Sequence, residues 1–247
     1  MAHHVLVNRS HRLVLFTIPK VGCTELIKLM RRLDGARDWR DSPHYKEDRS
    51  FLADMGLERA MEILNDPRWT KAAALRDPAE RLLSAYLDKF VQSESYAANL
   101  FRTGGRYMPF KEFLGHVLEQ NDDPLLPRGL HTGTDPHWRP QRLVGSLEKV
   151  AACIDLFGDF VALGGWIEDV LRRVGAWDTH GADGWGVRGR GAILETNLDP
   201  HRTGAGHRMR DCYDREMLEA VYEAYAGDLS LAASVGIDLK KHARLLS

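Results

Sequence analysis

The segment that decides the fold is residues 13–24, which read LVLFTIPKVGCT. Its first six residues are apolar or β-branched, which indicates a buried strand of a parallel sheet. A tight turn with Pro19, Lys20 and Gly22 follows, and apolar side chains then recur at helical spacing over residues 24–33. A helix N-terminus attracts anions because its N–H groups and its dipole are positive. The strand, the lysine-bearing turn and the helix start therefore predict a phosphate-binding turn.

A second segment with the same layout is residues 72–86, AAALRDPAERLLSAY. The predicted strand 69–75 ends at Arg76, and Asp77 is typical of a helix N-cap. Ser84 lies on that helix, about 10 Å beyond the N-cap. Since ligands of open α/β sheets bind at the carboxyl ends of the strands, the two segments together indicate a ligand with two separated phosphate-like groups.

Strands and helices alternate along the rest of the chain. Further helices are predicted at 57–65, 109–120, 166–174 and 211–226, and a third strand at 154–161. The alternation predicts an α/β fold with a P-loop-like central parallel sheet flanked by helices on both faces. A length of 247 residues is enough for one such domain, so residues 1–247 are predicted to form a single domain.

The composition limits the classes of partner. The net charge is −1 and the sequence pI about 6.8, so the chain lacks the global basic field that binds nucleic acid. No apolar run approaches the ~20 residues that cross a bilayer, and the N-terminus lacks the apolar region of a signal peptide. Three cysteines without metal-ligand spacing are expected to be reduced thiols, and a cytoplasmic protein that needs no metal is predicted.

The two phosphate-binding segments, PKVGCT at 19–24 and RDPAERLLSAY at 76–86, resemble those of sulfotransferase family 2, the membrane-type carbohydrate sulfotransferases. DPHWRPQ at 135–141 is a third match, and HRTGA at 201–205 is a weaker fourth. The resemblance covers roughly residues 12–230. It implies the fold of a sulfotransferase that uses PAPS, 3′-phosphoadenosine 5′-phosphosulfate.

The resemblance also implies the residues that bind PAPS. Arg76 and Ser84 would hold its 3′-phosphate, and Thr203, Arg208 and His201 fall where the family closes a loop over the nucleotide. The turn would hold the 5′-phosphosulfate through Pro19, Lys20, Val21, Gly22, Cys23 and Thr24.

Two residues are predicted to be catalytic. Lys20 would neutralise the charge that grows on the leaving phosphate oxygen. His137 is the candidate general base, because the attacking hydroxyl loses a proton and an imidazole has a suitable pKa; Asp135 would orient it. Rival candidates for the base are His44, Glu47, Asp48 and Glu94.

Four other residues near these motifs are not assigned to the site. Trp138 either packs under its loop or stacks on a sugar. Arg81 equally suits a surface ion pair and is left outside the site, and Arg188 and Arg190 are interpreted as solvated. Relatives often have a glutamate where Val161 stands, which indicates a different acceptor here if that glutamate binds the acceptor in relatives.

The expected function is in-line transfer of a sulfuryl group from PAPS to a hydroxyl of a carbohydrate or another small hydroxylated acceptor, with release of PAP. One alternative is a P-loop kinase-like phosphotransferase acting on a small molecule. The absence of the G-x-x-x-x-G-K-[ST] pattern from the sequence counts against it. The other is a non-catalytic nucleotide-binding module, against which the intact set of candidate residues counts.

The chain begins almost directly at the first predicted strand. Many animal members of the resembling family are Golgi proteins with an N-terminal anchor. The short N-terminus is therefore expected to indicate either a soluble enzyme of the bacterial type or a chain from which an N-terminal segment was removed.

Overall fold

The computed structural model describes residues 4–40, 50–92, 108–122, 135–181 and 203–243. The chain divides into two units. The first consists of Met1–Leu75 and Gln141–Leu198, and the second of Arg76–Pro140 and Asp199–Ser247. The single domain predicted over residues 1–247 stays a prediction.

The first unit is built on a four-stranded sheet of β1 (Val5–Asn8), β2 (Leu13–Phe16), β3 (Thr70–Leu75) and β4 (Leu156–Asp159), in that spatial order. Strands β2, β3 and β4 run parallel, and β1 runs antiparallel to β2. Every residue of β1, β2 and β3 is buried, and the apolar runs of the sequence predict this for β2 and β3. The parallel-dominated sheet with flanking helices confirms the predicted α/β class.

The edge strand β1 is a correction, because no strand is predicted before residue 12. Its four residues give too little periodicity to read from sequence, and pairing with β2 fixes them. The strand predicted at 154–161 is also too long. It ends at Asp159, whose carboxylate accepts a hydrogen bond from the Val161 N–H (3.0 Å) and starts a 3₁₀ turn.

The other regular elements are helices. Short 3₁₀ turns lie at Leu52–Met55, Gln141–Ser146, Ala151–Cys153 and Phe160–Ala162, and a π-helical turn lies at Leu87–Gln92. None of the helices in the described ranges is long and apolar enough to span a membrane. The cytoplasmic location stays a prediction. In chain order the helices are α1 (Cys23–Leu33), α2 (Leu57–Asn65), α3 (Pro78–Tyr86), α4 (Phe110–Asp122), α5 (Leu147–Val150), α6 (Leu163–Arg173), α7 (Trp177–His180), α8 (Ala205–Cys212), α9 (Arg215–Ala224) and α10 (Ala226–Ser234).

The second unit is helical and has its own apolar core. Helices α8 and α9 pack against α3, and α4 packs against α3 and α9. Aromatic rings lie at the centre, with centroids 5.7 Å apart for Tyr86 and Phe90 and 5.5 Å apart for Phe113 and Trp138. Large aromatic side chains contribute most of the apolar area that stabilises such a core.

The last long helix is a second correction. One helix is predicted at 211–226, but α8 ends at Cys212 and α9 begins at Arg215. Between them Tyr213 is extended (φ −110°, ψ 131°), and the Asp214 side chain accepts a hydrogen bond from the Met217 N–H at 2.8 Å. Asp214 therefore caps a new helix.

One close contact in the first unit explains a glycine in β4. A Cβ atom at Gly158 would lie 2.4 Å from Cγ of Trp166 and 2.5 Å from its Cδ1. Gly158 and Trp166 are both buried, and an indole ring is rigid. The strand thus lies against the ring of α6 at a distance that only glycine permits.

We expect Gly158→Ala to lower the free energy of unfolding by about 1–3 kcal/mol, since overpacking displaces the indole or the strand. Gly115→Ala is the matched control. Gly115 is an exposed residue of α4 with no atom within 4 Å of the added Cβ, and alanine favours a helix by about 0.5–1 kcal/mol. Urea unfolding of both variants tests the contact, and equal stabilities would contradict it.

Candidate active site

The predicted phosphate-binding turn lies in the first unit, directly after β2. The Val21 N–H donates to the Ile18 carbonyl at 3.1 Å, which closes a turn with Pro19 and Lys20 at its centre. The φ of Lys20 is +66°, the sign that a type II turn requires at its third position. A residue with a Cβ costs about 1–2 kcal/mol in this conformation. Strain of this kind is concentrated at functional sites.

Gly22 joins the turn to α1. It is left-handed, with φ 67° and ψ 21°, and supplies no side-chain cap to the helix. A Cβ at this position would lie 2.5 Å from Cδ2 of Leu163 in α6. Because the first N–H groups of a helix have no acceptor within the helix, an anion suits this end of α1.

The first residues of α1 include both groups that favour an anion and a carboxylate that opposes one. Thr24 and the free thiol Cys23 are half-buried. Glu25 in the first turn places a negative charge near the site, but Lys28 Nζ lies 3.1 Å from its Oε1. The ion pair offsets the charge of Glu25 and keeps an anion acceptable at this helix end.

In the second unit, Arg76 is the first residue after β3 and is only 7% exposed. Its Nη2 donates to Oε1 of Glu80 at 2.7 Å, one turn along the helix. Burial lowers the pKa of Arg76, and the charge of Glu80 acts against this effect. An arginine stays protonated in proteins, so the structure holds a fixed buried cation at the strand end.

The C-terminal segment after α10 adds contacts that the sequence analysis does not predict. His242 Nε2 lies 3.4 Å from Glu80 Oε2. Burial acts to raise the pKa of Glu80, but the hydrogen bond from His242 and the charge of Arg76 prevail and lower this pKa to about 2. The same contact raises the pKa of His242 against the effect of its burial. No local signal points to His242, because 162 positions separate it from Glu80.

Ser84 and Thr203, both predicted to bind the nucleotide, are brought together. Ser84 Oγ lies 3.1 Å from Thr203 Oγ1, and Ser84 is buried. Thr203 comes just before Gly204, which has a left-handed conformation and caps the start of α8. A Cβ at Gly206 would lie 3.0 Å from Glu80 Oε1, so α8 begins beside the same face of α3.

Arg208 lies further along α8 and is exposed. Burial raises the pKa of Tyr86, and the positive charge of Arg208 acts in the opposite direction. The contact with the nucleotide that the sequence predicts for Arg208 stays a prediction, as do the roles of the other candidate residues.

The predicted base, His137, also lies in the second unit. Oδ1 of Asp135 lies 2.5 Å from His137 Nδ1 and accepts the His137 backbone N–H at 2.8 Å. Asp135 therefore orients the imidazole, as predicted, and the side chain of His137 stays 26% exposed. Trp138 is buried against Phe90 and Phe113. Of its two interpretations, packing under the loop is confirmed.

Arg81 is a correction, since a surface ion pair is ruled out by its complete burial. Its Nη1 donates to the Arg139 carbonyl at 2.7 Å, and its Nη2 donates to the Pro136 carbonyl at 2.8 Å. Arg81 thus holds the segment that carries His137. The two carbonyls lie 58 and 55 positions further along the chain, so no local signal in the sequence reveals this burial.

The remaining candidates lie outside the described residues. Among them are the loop residue His201 and the two arginines interpreted as solvated. Val161, which stands where relatives often have a glutamate, lies within the described residues and is 68% exposed. The undescribed candidates are His44, Glu47, Asp48, Glu94, Arg188, Arg190 and His201.

Comparison with known proteins gives a family match over nearly the whole chain. The model of the sulfotransferase family matches residues 3–231. Carbohydrate sulfotransferase 14 of Danio rerio is 26% identical over 194 residues, which cover 71% of this chain and 49% of that protein. The Homo sapiens carbohydrate sulfotransferase 14 is 27% identical over 192 residues, covering 71% and 48%.

A further relative is Homo sapiens carbohydrate sulfotransferase 9, 27% identical over 155 residues that cover 54% of this chain and 33% of that protein. The chain spans about half the length of the curated relatives that it matches first. No solved structure gives a significant match. The family match confirms the resemblance stated from the sequence motifs: the chain belongs to the sulfotransferase family.

Proposed function

We propose that this chain is a PAPS-dependent sulfotransferase that transfers a sulfuryl group to a hydroxyl of a carbohydrate or another small hydroxylated acceptor. The observation that carries the proposal is the turn before α1. In a chain of the sulfotransferase family, it presents a lysine at positive φ directly before a helix start that has no side-chain cap. The names of the relatives, all carbohydrate sulfotransferases, support a carbohydrate acceptor.

The turn supplies the charge that this reaction needs. PAPS provides a sulfuryl group whose bond to a phosphate oxygen breaks as the acceptor oxygen attacks sulfur, and PAP leaves with the bonding electrons. Lys20 places an ammonium group beside the leaving oxygen, where fixed charge is most effective. The N-terminus of α1 adds its dipole, and Thr24 donates its hydroxyl to the same phosphate.

His137 takes the proton of the attacking hydroxyl. Asp135 lies 2.5 Å from His137 Nδ1, and a carboxylate there favours the tautomer in which Nδ1 carries the hydrogen. Nε2 is then the basic nitrogen. Asp135 also stabilises the imidazolium that forms when Nε2 accepts the proton.

The second unit supplies the groups for the 3′-phosphate. The hydroxyls of Ser84 and Thr203 share a hydrogen bond of 3.1 Å, and one phosphate can accept hydrogen bonds from both when it replaces this bond. Arg76 contributes its buried positive charge and its planar donors. Glu80 holds the guanidinium in place, and His242 offsets the charge of Glu80.

The test is calorimetric titration of the protein with PAP, ADP and ATP–magnesium, followed by transfer of ³⁵S from labelled PAPS to a panel of mono- and oligosaccharides. We expect PAP to bind much more tightly than ADP and label to appear in at least one carbohydrate. Preference for ATP–magnesium would replace the proposal with a phosphotransferase. Absence of binding by all three nucleotides would indicate a non-catalytic module.

Replacing Lys20 should separate activity from stability. We expect both Lys20→Gly and Lys20→Ala to lower the rate of ³⁵S transfer by about 100- to 1,000-fold, because each removes the charge at the leaving oxygen. Glycine relieves about 1–2 kcal/mol of strain at positive φ. This exceeds its entropy cost of about 0.5–1 kcal/mol, so Lys20→Gly should melt no lower than Lys20→Ala.

The melting temperatures and the transfer rates are measured on the same preparations. A Lys20→Gly variant that is stable and active would remove Lys20 from the catalytic role. If Lys20→Gly is clearly less stable than Lys20→Ala, the turn at Lys20 is not strained.

The 3′-phosphate assignment predicts a selective loss of affinity. Arg76→Lys keeps the charge beside Glu80 but loses the planar fork, and Ser84→Ala removes one hydroxyl. We expect each to weaken PAP binding about tenfold or more, since hydrogen bonds to charged groups contribute about 1.5–3 kcal/mol. ADP, which lacks the 3′-phosphate, should lose little. Calorimetry with both nucleotides checks this, and equal losses would refute the assignment.

The pairing of His242 with Glu80 predicts a pH dependence. The pKa of His242 lies above its ordinary value, so its charged form predominates at pH 6 and is lost as pH rises through the raised pKa. Arg76, Glu80 and Asp77 are the other charges acting on this imidazole. Loss of its proton makes the region more negative and therefore less favourable to an anion.

We expect His242→Gln to bind PAP about threefold to tenfold more weakly than the parent protein at pH 6, with a smaller difference at pH 9. Calorimetric titrations at both pH values give the ratio of dissociation constants. The ratio of the two dissociation constants does not depend on the titration of PAP itself, because that titration affects binding to both proteins equally. A ratio that stays constant between pH 6 and pH 9 would show that the charge of His242 has no such effect.

A further inference from the structure

Two buried side chains hold the backbone of the segment that carries His137. Arg81 of α3 donates to the carbonyls of Pro136 and Arg139, at 2.8 Å and 2.7 Å. The hydroxyl of Tyr225, the residue that follows α9, donates to the Trp138 carbonyl. Three carbonyls around His137 thus accept hydrogen bonds from side chains rather than from a helix or strand.

These contacts are costly to remove. Arg81 is 0% exposed and Tyr225 is 1% exposed, so water does not replace a lost donor without rearrangement. A buried acceptor left without a partner lowers the stability of the folded state, and hydrogen bonds from a charged donor are stronger than neutral ones. The hydrogen bonds from Arg81 and Tyr225 therefore hold this short irregular segment in one backbone conformation.

The other side of the segment is fixed by Asp135. Its backbone carbonyl accepts the N–H groups of Trp138 and Arg139 at 3.1 Å and 3.0 Å, and its carboxylate accepts the N–H and the Nδ1 of His137. The imidazole direction is thus set by Asp135, and the place of the whole turn by Arg81 and Tyr225.

We infer that Arg81 and Tyr225 are positioning residues that fix the backbone around His137 and so place its imidazole for proton abstraction. The inference rests on the proposed function, in which His137 is the base. It also places the support of the base and a candidate ligand of the 3′-phosphate on one helix, because α3 carries both Arg81 and Ser84. A displacement of about 1 Å at a reacting group costs on the order of 100-fold in rate.

The test compares Tyr225→Phe with Tyr213→Phe. Both tyrosines are buried, and each hydroxyl donates to a buried backbone carbonyl, that of Trp138 for Tyr225 and that of Ala79 for Tyr213. The two changes therefore have similar effects on global stability. They differ in whether the lost hydrogen bond belongs to the His137 segment.

Two quantities are measured for each variant: amide hydrogen exchange at His137, Trp138 and Arg139, and the kinetics of ³⁵S transfer from PAPS. We expect Tyr225→Phe to speed exchange at these amides and lower kcat about 10- to 100-fold, with PAP affinity unchanged. Tyr213→Phe should leave the exchange at these amides and kcat near those of the parent protein.

Arg81→Lys is a second variant, since it keeps the buried charge but provides a single donor group in place of the fork. We expect the same selective loss of kcat, with PAP affinity retained. An unchanged kcat in both Tyr225→Phe and Arg81→Lys, in an enzyme that is otherwise active, would overturn the inference and leave the proposed function standing. A parent protein that neither binds PAP nor transfers label would overturn the proposed function, and the inference with it.

Discussion

The second unit depends on one buried carboxylate. Asp77 caps α3 by accepting the N–H groups of Ala79 and Glu80, and its other oxygen accepts the Tyr222 hydroxyl and the Lys241 N–H. Burial raises the pKa of Asp77, and these donors act against it by stabilising the ionised form. Donors from α3 itself and from two distant positions of the chain therefore meet at the residue that fixes where α3 begins.

The start of α3 in turn fixes the residues of the proposed chemistry. One face of the helix carries Glu80 and Ser84, one turn apart, and Arg76 reaches this face through its ion pair with Glu80. Arg81 projects from another face and holds the segment of His137. Sites built on a packed helix are held more rigidly than sites built on loops, which suits a reaction that depends on alignment.

Much of this arrangement could be predicted from sequence because its signals are local. The apolar run before Pro19 indicates β2, and the cap at Asp77 indicates where α3 begins. The positive φ of Lys20 could not be predicted in the same way, because glycine and asparagine are the residues that indicate a positive φ in a turn. The antiparallel strand β1 carries too few residues for a periodicity and is fixed by its partner β2.

Contacts between distant positions account for what could not be predicted. Arg81 looks like a surface residue in a list of charges, and its burial depends on a segment 55 residues away. His242 contacts Glu80 across 162 positions and lies beyond the family match, which ends at residue 231. Motifs report which residue types a site needs, whereas the side chains that support them belong to each chain's own packing.

The burial of Arg76 has a consequence for how an anion would be captured. The chain carries a net charge of −1, so it offers little long-range attraction to a nucleotide, and association is expected near the unsteered range of about 10⁵–10⁶ M⁻¹s⁻¹. Exposed charges are screened by salt over about 8 Å at physiological ionic strength, whereas buried ones are screened much less. A ligand held by a guanidinium that is 7% exposed therefore remains bound at ionic strengths that release ligands from open basic grooves.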